Sequence, residues 1–348
     1  MTPKKQSAQG IVLTLKYKFI IFLDILRIKV LRRTATIAET IAIFGSPRTG
    51  TTWIMEIVSK IQKGPYLFEP FNLNWFPEIK EFYDPPRPML LPDSNHAKLD
   101  TKYRRFLSDA FQGKIYSKQP FIKRDFETLK QRLFGKHLTV KFVRANRMIP
   151  WISKNFKLAT IILIIRNPLT TIASQLKRGI TGYFGKLNQE KIENVKNQAK
   201  KYEFLPLSLR EKLDSLDKEE QILAIMWALD YLIPLKFTDQ KDLYLLNYEE
   251  FMLNKDAELS KLYAALEIDP QENAVERNFM EKPSMLGVQT YKKDQTEQLN
   301  KWTQILSNEQ TENILHVLEL FDMNFYGREP TINKEKFKKF IEVLQESP

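Results

Sequence analysis

Ile41-Ala42-Ile43-Phe44-Gly45-Ser46-Pro47-Arg48-Thr49-Gly50-Thr51-Thr52-Trp53 runs an apolar strand through a Gly/Pro turn straight into a helix. The turn and the first helical turn hold backbone N–H groups with no intrahelical acceptor, and the helix dipole adds partial positive charge where they point. Gly50 lets an anionic oxygen approach the backbone, Thr51 and Thr52 add hydroxyl donors, and Arg48 supplies a permanently charged fork. The segment therefore reads as a phosphate or sulfate site. A nucleotide-triphosphate loop needs Gly, four residues, Gly, then Lys and Ser or Thr. Gly45 and Gly50 have that spacing, but Thr51 occupies the lysine position and Arg48 lies inside the loop.

Further along, Ala159-Thr160-Ile161-Ile162-Leu163-Ile164-Ile165 is a continuous β-branched run of the kind a buried parallel strand requires. It ends in Arg166-Asn167-Pro168, where Asn167 caps a helix and Pro168 takes its first position. Arg166 falls at the carboxyl end of the strand and Ser174 two turns into the helix, so both can face a ligand above the sheet edge. Alone, the pair reads equally as an ion-pair partner and a helix-surface residue.

Taken together, these segments resemble the sulfotransferases that use 3′-phosphoadenosine 5′-phosphosulfate (PAPS). Residues Gly45 to Trp53 resemble that family's 5′-phosphosulfate loop, and Arg166 with Ser174 its 3′-phosphate motif. Leu243-Tyr244-Leu245-Leu246-Asn247-Tyr248-Glu249-Glu250-Phe251 is similar to the strand and Tyr-Glu pair that precede its C-terminal helices. The resemblance implies that Arg48, Thr49, Gly50, Thr51 and Thr52 hold the 5′-phosphosulfate and that Arg166 and Ser174 hold the 3′-phosphate. It gives Trp53 two readings, a stacking partner for adenine or a core residue of the first helix.

The chain departs from the cytosolic branch of that family. No Arg-Lys-Gly element stands between Met280 and Lys301, where Lys292 and Lys293 offer only charge. The strand Val140-Lys141-Phe142-Val143-Arg144 carries no histidine base, and His96, His137 and His316 are scattered. The carbohydrate and bacterial branch fits better: Tyr66-Leu67-Phe68-Glu69-Pro70 resembles its Glu-Pro segment and Lys141-Phe142-Val143-Arg144 its Lys-x-x-Arg strand. The implied chemistry is direct in-line displacement at sulfur, with Glu69 as base and Arg48 and Lys141 neutralising the leaving group. A pocket between Phe68 and Phe71 is expected to raise the Glu69 pKa. The other reading of Glu69 is a loop carboxylate paired with a lysine. The chemistry requires no metal.

The 348 residues carry no cysteine and a formal charge of +12, from 54 Lys and Arg against 42 Asp and Glu. The absence of cysteine excludes disulfides and thiol nucleophiles and fits a reducing, cytoplasmic setting. The positive charge suits anionic partners, namely the donor, an acidic saccharide or glycolipid acceptor, or a membrane surface. The basic residues are dispersed and no nucleic-acid module is present, which argues against nucleic acid. Between Ile11 and Leu31 the chain is strongly apolar, yet no run without a charged residue exceeds five, as from Phe19 to Leu23. That is too short to span a bilayer, which needs about 20 apolar residues. It suits a peripheral amphipathic helix or packing against the protein's own sheet.

The expected organisation is an α/β fold with a central, mainly parallel sheet flanked by helices. Its strands fall near 41–44, 140–143, 159–165 and 243–247. An N-terminal extension over 1–35 precedes a domain over 36–330, with acceptor-side insertions near 84–125 and 178–220, and a tail over 331–348 follows. Asp84 to Pro92 reads as a rigid loop at the acceptor mouth, and Gly179, Gly182 and Gly185 lie in a segment that could gate access. Ile222 to Leu235 reads as a buried helix. Ser307-Asn308-Glu309-Gln310 reads as a capping box for a helix ending near Phe325 and Gly327. Two other functions match parts of the pattern: a P-loop phosphotransferase or ATPase, and a membrane-surface protein with a vestigial nucleotide loop.

Overall fold

The structure is a computed structural model that describes residues 8–32, 34–82, 97–117, 129–177, 179, 187–275, 277–282, 284 and 294–346. The proline-rich loop at 84–92, Gly182, Gly185, His96, Lys292 and Lys293 lie outside the described residues.

Five strands form one sheet: β1 (Thr40–Gly45), β2 (Tyr66–Phe68), β3 (Leu138–Phe142), β4 (Thr160–Ile165) and β5 (Tyr244–Asn247), in the order β2-β3-β1-β4-β5. All four pairings are parallel, with Ile43 opposite Lys141 and Ile162, Phe68 opposite Lys141, and Ile164 opposite Leu246. Four strands lie where the apolar runs predict them. The fifth, β2, was legible only as the lead-in to Glu69, because three residues are too few to show a period.

A parallel sheet needs helical cover on both faces, and the pleat divides the core accordingly. Ala42, Phe44, Val140, Phe142, Leu163 and Ile165 point into one apolar cluster. Ile41, Ile43, Phe68, Ile162, Ile164 and Leu246 point into the other. The helix Thr51–Gln62 covers the second face through Ile54, Ile57, Val58 and Ile61, all 0 % exposed. The helix Glu219–Phe237, apolar nearly all round as expected of a core helix, fills the first. The helices Gln189–Lys200 and Leu207–Lys212 add Val195, Ala199 and Leu209 to that same core.

The capping box at Ser307 forms: its hydroxyl accepts from Gln310 N–H, and Gln310 Oε1 accepts from Ser307 N–H. That helix stops at Leu320, short of the expected Phe325, because Asp322 takes a left-handed φ of 56° and turns the chain. The final helix, Lys334–Glu346, folds back so that Phe337 and Phe340 pack on Phe325.

One polar group interrupts the core helix. Asp230, 0 % exposed, accepts from Arg147 Nε at 3.1 Å and from Ser46 Oγ at 2.8 Å. Arg147 is closed off by Gln198 Oε1 at 2.7 Å, the Tyr202 hydroxyl and the Met226 carbonyl. Removing one member of such a pair strands the other charge in the core. Asp230→Ala is expected to lower the unfolding free energy by about 3 to 5 kcal/mol in urea titrations. Arg147→Met combined with Asp230→Leu should recover most of that loss.

Candidate functional site

Parallel strands all present their carboxyl ends at one edge, and crevices outside that edge are where such sheets bind ligands. Here the edge carries Glu69 after β2, Lys141 and Arg144 on and after β3, Arg48 after β1, Arg166 after β4 and Glu249 after β5.

The loop after β1 turns by two left-handed residues, Arg48 at φ 76° and Gly50 at φ 88°. Glycine is required at position 50: an added Cβ would lie 2.3 Å from Cε2 of Tyr248. Gly45 is equally constrained, since a Cβ there would meet Thr49 Oγ1 and Thr51 Cγ2 at 2.6 Å. Arg48 tolerates a conformation that costs an ordinary residue about 1 to 2 kcal/mol because its surroundings hold it. Gln175 Nε2 donates to Pro47 O at 2.8 Å, Ser46 N–H donates to the Tyr231 hydroxyl, and Asp230 holds Ser46 Oγ.

The threonines divide. Thr49 is fully buried and its hydroxyl donates to Ser46 O at 2.7 Å, so it braces the turn instead of facing a ligand with its proton. The hydroxyls of Thr51 and Thr52 donate to no acceptor among the described residues. As the first two residues of the helix, their N–H groups also lack intrahelical partners. Trp53 is only 7 % exposed and wedged edge-on between Tyr248 and Phe251, with ring centroids 5.9 and 5.4 Å away. Its ring belongs to the apolar cluster on that face of the sheet.

Arg48 and Arg166 adjoin. Arg166 Nη1 donates to the Arg48 carbonyl at 3.0 Å, and Arg48 Nε donates to Ser174 Oγ at 3.0 Å. The Arg166 guanidinium lies over the Tyr248 ring, 4.1 Å from its centroid, while its Nε, though buried, has no hydrogen-bond partner among the described residues. A buried donor of that kind is an invitation to an anion. The turn behind it is rigid: Asn167 Oδ1 caps the helix Pro168–Lys177 through Leu169 N–H at 2.9 Å, and Trp227 Nε1 donates to Arg166 O.

Glu249 completes this side. Its carboxylate oxygens accept from Asn167 N–H at 2.8 Å and the Tyr326 hydroxyl at 3.1 Å. Burial pushes its carboxyl up to about 7, against the pull of the Arg166 charge and of these hydrogen bonds.

On the far side of the loop, Glu69 sits at φ 47° directly after β2, and its N–H donates to Lys141 O. Lys141 Nζ reaches Glu69 Oε1 at 2.6 Å, and Arg144 Nη1 reaches Oε2 at 2.8 Å. Lys141, 1 % exposed, also lies over the Phe68 ring at 4.0 Å. Burial alone would raise the Glu69 carboxyl, but the Lys141 and Arg144 charges and their hydrogen bonds outweigh it and hold the group at about 2. The expectation of a raised pKa is therefore corrected: the apolar neighbours are there, but two cations decide the sign. Burial likewise lowers the Lys141 ammonium below its usual value; Glu69 opposes this, and the charges of Arg144 and Arg48 add to it. Two cations thus contact one carboxylate, and the Arg48 charge is felt at Lys141.

Several groups here escaped sequence reasoning. Asp230, Tyr231 and Gln175 hold the loop from behind, and only Asp230 gave a signal, as a lone acid inside the apolar run Ile222 to Leu235. Tyr248 belonged to a quoted motif, but its double role, flooring Arg166 and closing over Gly50, needs the fold.

The model of the Sulfotransferase family matches residues 40–272. No curated protein matches the chain in sequence. Among solved structures, a sulfotransferase domain from the curacin biosynthetic pathway is similar at 14 % identity and TM-score 0.42, covering 82 % of this chain and 98 % of that one. A sulfotransferase domain from the Synechococcus PCC 7002 olefin synthase follows at 13 % identity and TM-score 0.41, covering 82 % and 94 %. The mouse sulfotransferase SULT7A1, in complex with PAP, has 13 % identity and TM-score 0.39, covering 95 % of each chain.

Glu249 makes native stability depend on pH. Its folded pKa of about 7 lies above the ordinary 4.5, so the folded state binds the extra proton between those values. Stability should therefore fall as pH rises from 4.5 to about 7, by on the order of 3 kcal/mol from this group. Denaturant titrations of Glu249→Gln across that window should lose this slope.

Proposed function

The chain belongs to the sulfotransferase family, and from that premise we propose that it transfers a sulfuryl group from PAPS to a hydroxyl of a saccharide or glycolipid. The observation that supports this reading is the bond from the Arg166 side chain to the Arg48 carbonyl, which brings the loops after two adjacent strands into contact. A donor with phosphate at both ends of one adenosine needs that pairing; an ordinary adenine nucleotide needs only the first.

In this reading the N–H groups and hydroxyls of Thr51 and Thr52, with Arg48, hold the 5′-phosphosulfate, and Arg166 with Ser174 holds the 3′-phosphate. Ser174 already accepts from Arg48 Nε, so its hydroxyl proton is left to point at the ligand. Thr49 and Gly50 shape the loop.

The acceptor oxygen attacks sulfur, the bond from sulfur to the phosphate oxygen breaks, and the acceptor proton passes to Glu69. At neutral pH the Glu69 carboxylate is ionised and ready to accept, though two cations weaken it as a base. An anionic donor competes for the Lys141 charge, which relaxes its hold on Glu69 and raises the proton affinity of Glu69 when transfer occurs. Lys141 and Arg48 then stabilise the negative charge growing on the departing phosphate. The preference for a sugar hydroxyl rests on the convergence of the Glu-Pro and Lys-x-x-Arg segments: Glu69, Lys141 and Arg144 form one cluster.

Arg166→Ala should weaken adenosine 3′,5′-bisphosphate by about 2 to 4 kcal/mol in calorimetric titrations while changing adenosine 5′-monophosphate little. Equal losses for both nucleotides would remove Arg166 from 3′-phosphate recognition. With sulfur-labelled PAPS and a panel of glycans, glycolipids and phenols, the wild-type chain should label a saccharide. Glu69→Gln should reduce that turnover about 100-fold or more at near-normal donor affinity; undiminished turnover would exclude Glu69 as base, and labelling of phenols alone would exclude the sugar acceptor.

A further inference from the structure

Among the described residues, the N-terminal helix Ala8–Ile25, extended by a turn over Leu26–Val30, is fastened to the domain through Leu23, Asp24 and Arg27. These three are buried; Asp24 pairs with Arg132 at 2.8 Å, and Arg27 Nη2 donates to Gly113 O at 3.0 Å. The opposite side is apolar and open to solvent. Leu15, Phe19 and Phe22, spaced to stack on one helical face, are 60 %, 48 % and 56 % exposed, and Val30 beyond them is 67 % exposed.

This stripe is not part of a general apolar surface. Among the described residues nine large hydrophobic side chains are exposed, and five of them, Leu15, Phe19, Phe22, Val30 and Leu31, fall in this one segment. The exposed charges beside them are all positive: Lys18, Lys29 and Arg32. The single acid between residues 8 and 33, Asp24, is consumed by its buried pair with Arg132. Aromatic and aliphatic side chains along one face, with lysines at the border, match the acyl and headgroup layers of an anionic bilayer. No described helix is long and apolar enough to cross a membrane, so the geometry is that of a helix lying in the surface.

We infer that residues 15–32 form a docking surface for an anionic lipid bilayer, which holds the enzyme at the membrane. The inference does not depend on the acceptor or the donor. Sedimentation with phosphatidylcholine vesicles, with and without phosphatidylserine, tests it on the full chain. Wild-type protein should bind the phosphatidylserine vesicles at least about tenfold more tightly than the neutral ones, and more weakly as salt rises. Phe19→Ser with Phe22→Ser, and separately Lys18→Glu with Lys29→Glu, should each reduce that binding by about tenfold or more, while affinity for adenosine 3′,5′-bisphosphate stays unchanged. Failure of the wild-type chain to bind anionic vesicles overturns the proposal, as does binding indifferent to both variants. Self-association that Phe19→Ser with Phe22→Ser abolishes, without vesicle binding, would show instead that a second copy covers the stripe.

Discussion

Like charges repel, and the site depends on holding Arg48, Lys141, Arg144 and Arg166 at one edge of one sheet. What makes this possible is that most of the restraint is supplied by neutral or oppositely charged groups behind them. Arg166 is pinned by the Arg48 carbonyl and floored by the Tyr248 ring. Lys141 and Arg144 share the Glu69 carboxylate. The loop carrying Arg48 is tied to the core helix Glu219–Phe237 through Ser46, Asp230 and Tyr231. The cations are thus preorganised, and the energy of holding them is spent in folding before a ligand arrives.

The two ends of the site use burial in opposite ways. At Glu69 burial brings the carboxylate into contact with two cations whose field dominates, so the group stays ionised. At Glu249 the carboxyl accepts two hydrogen bonds but the Arg166 charge is not in direct contact, and burial wins. Two carboxyl groups of one chemistry are therefore driven apart, one toward about 2 and the other toward about 7. Two of the six described non-glycine residues in the left-handed region, Arg48 and Glu69, lie at this edge, whereas Lys63 and Glu267 are ordinary helix ends.

Much of the architecture was legible because its signals are local. The runs at Ile41 to Phe44 and Thr160 to Ile165 are continuous and β-branched, which only a strand buried on both faces requires, and the Asn167-Pro168 and Ser307 caps carry their own chemistry. The surroundings of Trp53 and the pKa of Glu69 were not legible because both depend on neighbours distant in the chain. Tyr248 and Phe251 enclose the tryptophan, and Lys141 and Arg144 reverse the expected shift of the glutamate. The N-terminal segment was ambiguous for the same reason: its apolar runs suit either a membrane-surface helix or packing on the protein, and which side meets the protein depends on Arg132 and Gly113.

Spacing and residue type alone determined that this chain folds around a parallel α/β sheet and turns from strand into helix after Gly45 and Ile165. Glycine, proline, capping residues and β-branched runs act within a few positions of themselves. Only the tertiary structure decided that those turns adjoin, that Thr49 points inward, that Glu69 is held by two cations, and that an aromatic stripe remains uncovered near the N-terminus. Each of these is a contact, or a missing contact, between segments far apart in sequence, and electrostatic and packing energies are set by distance in space.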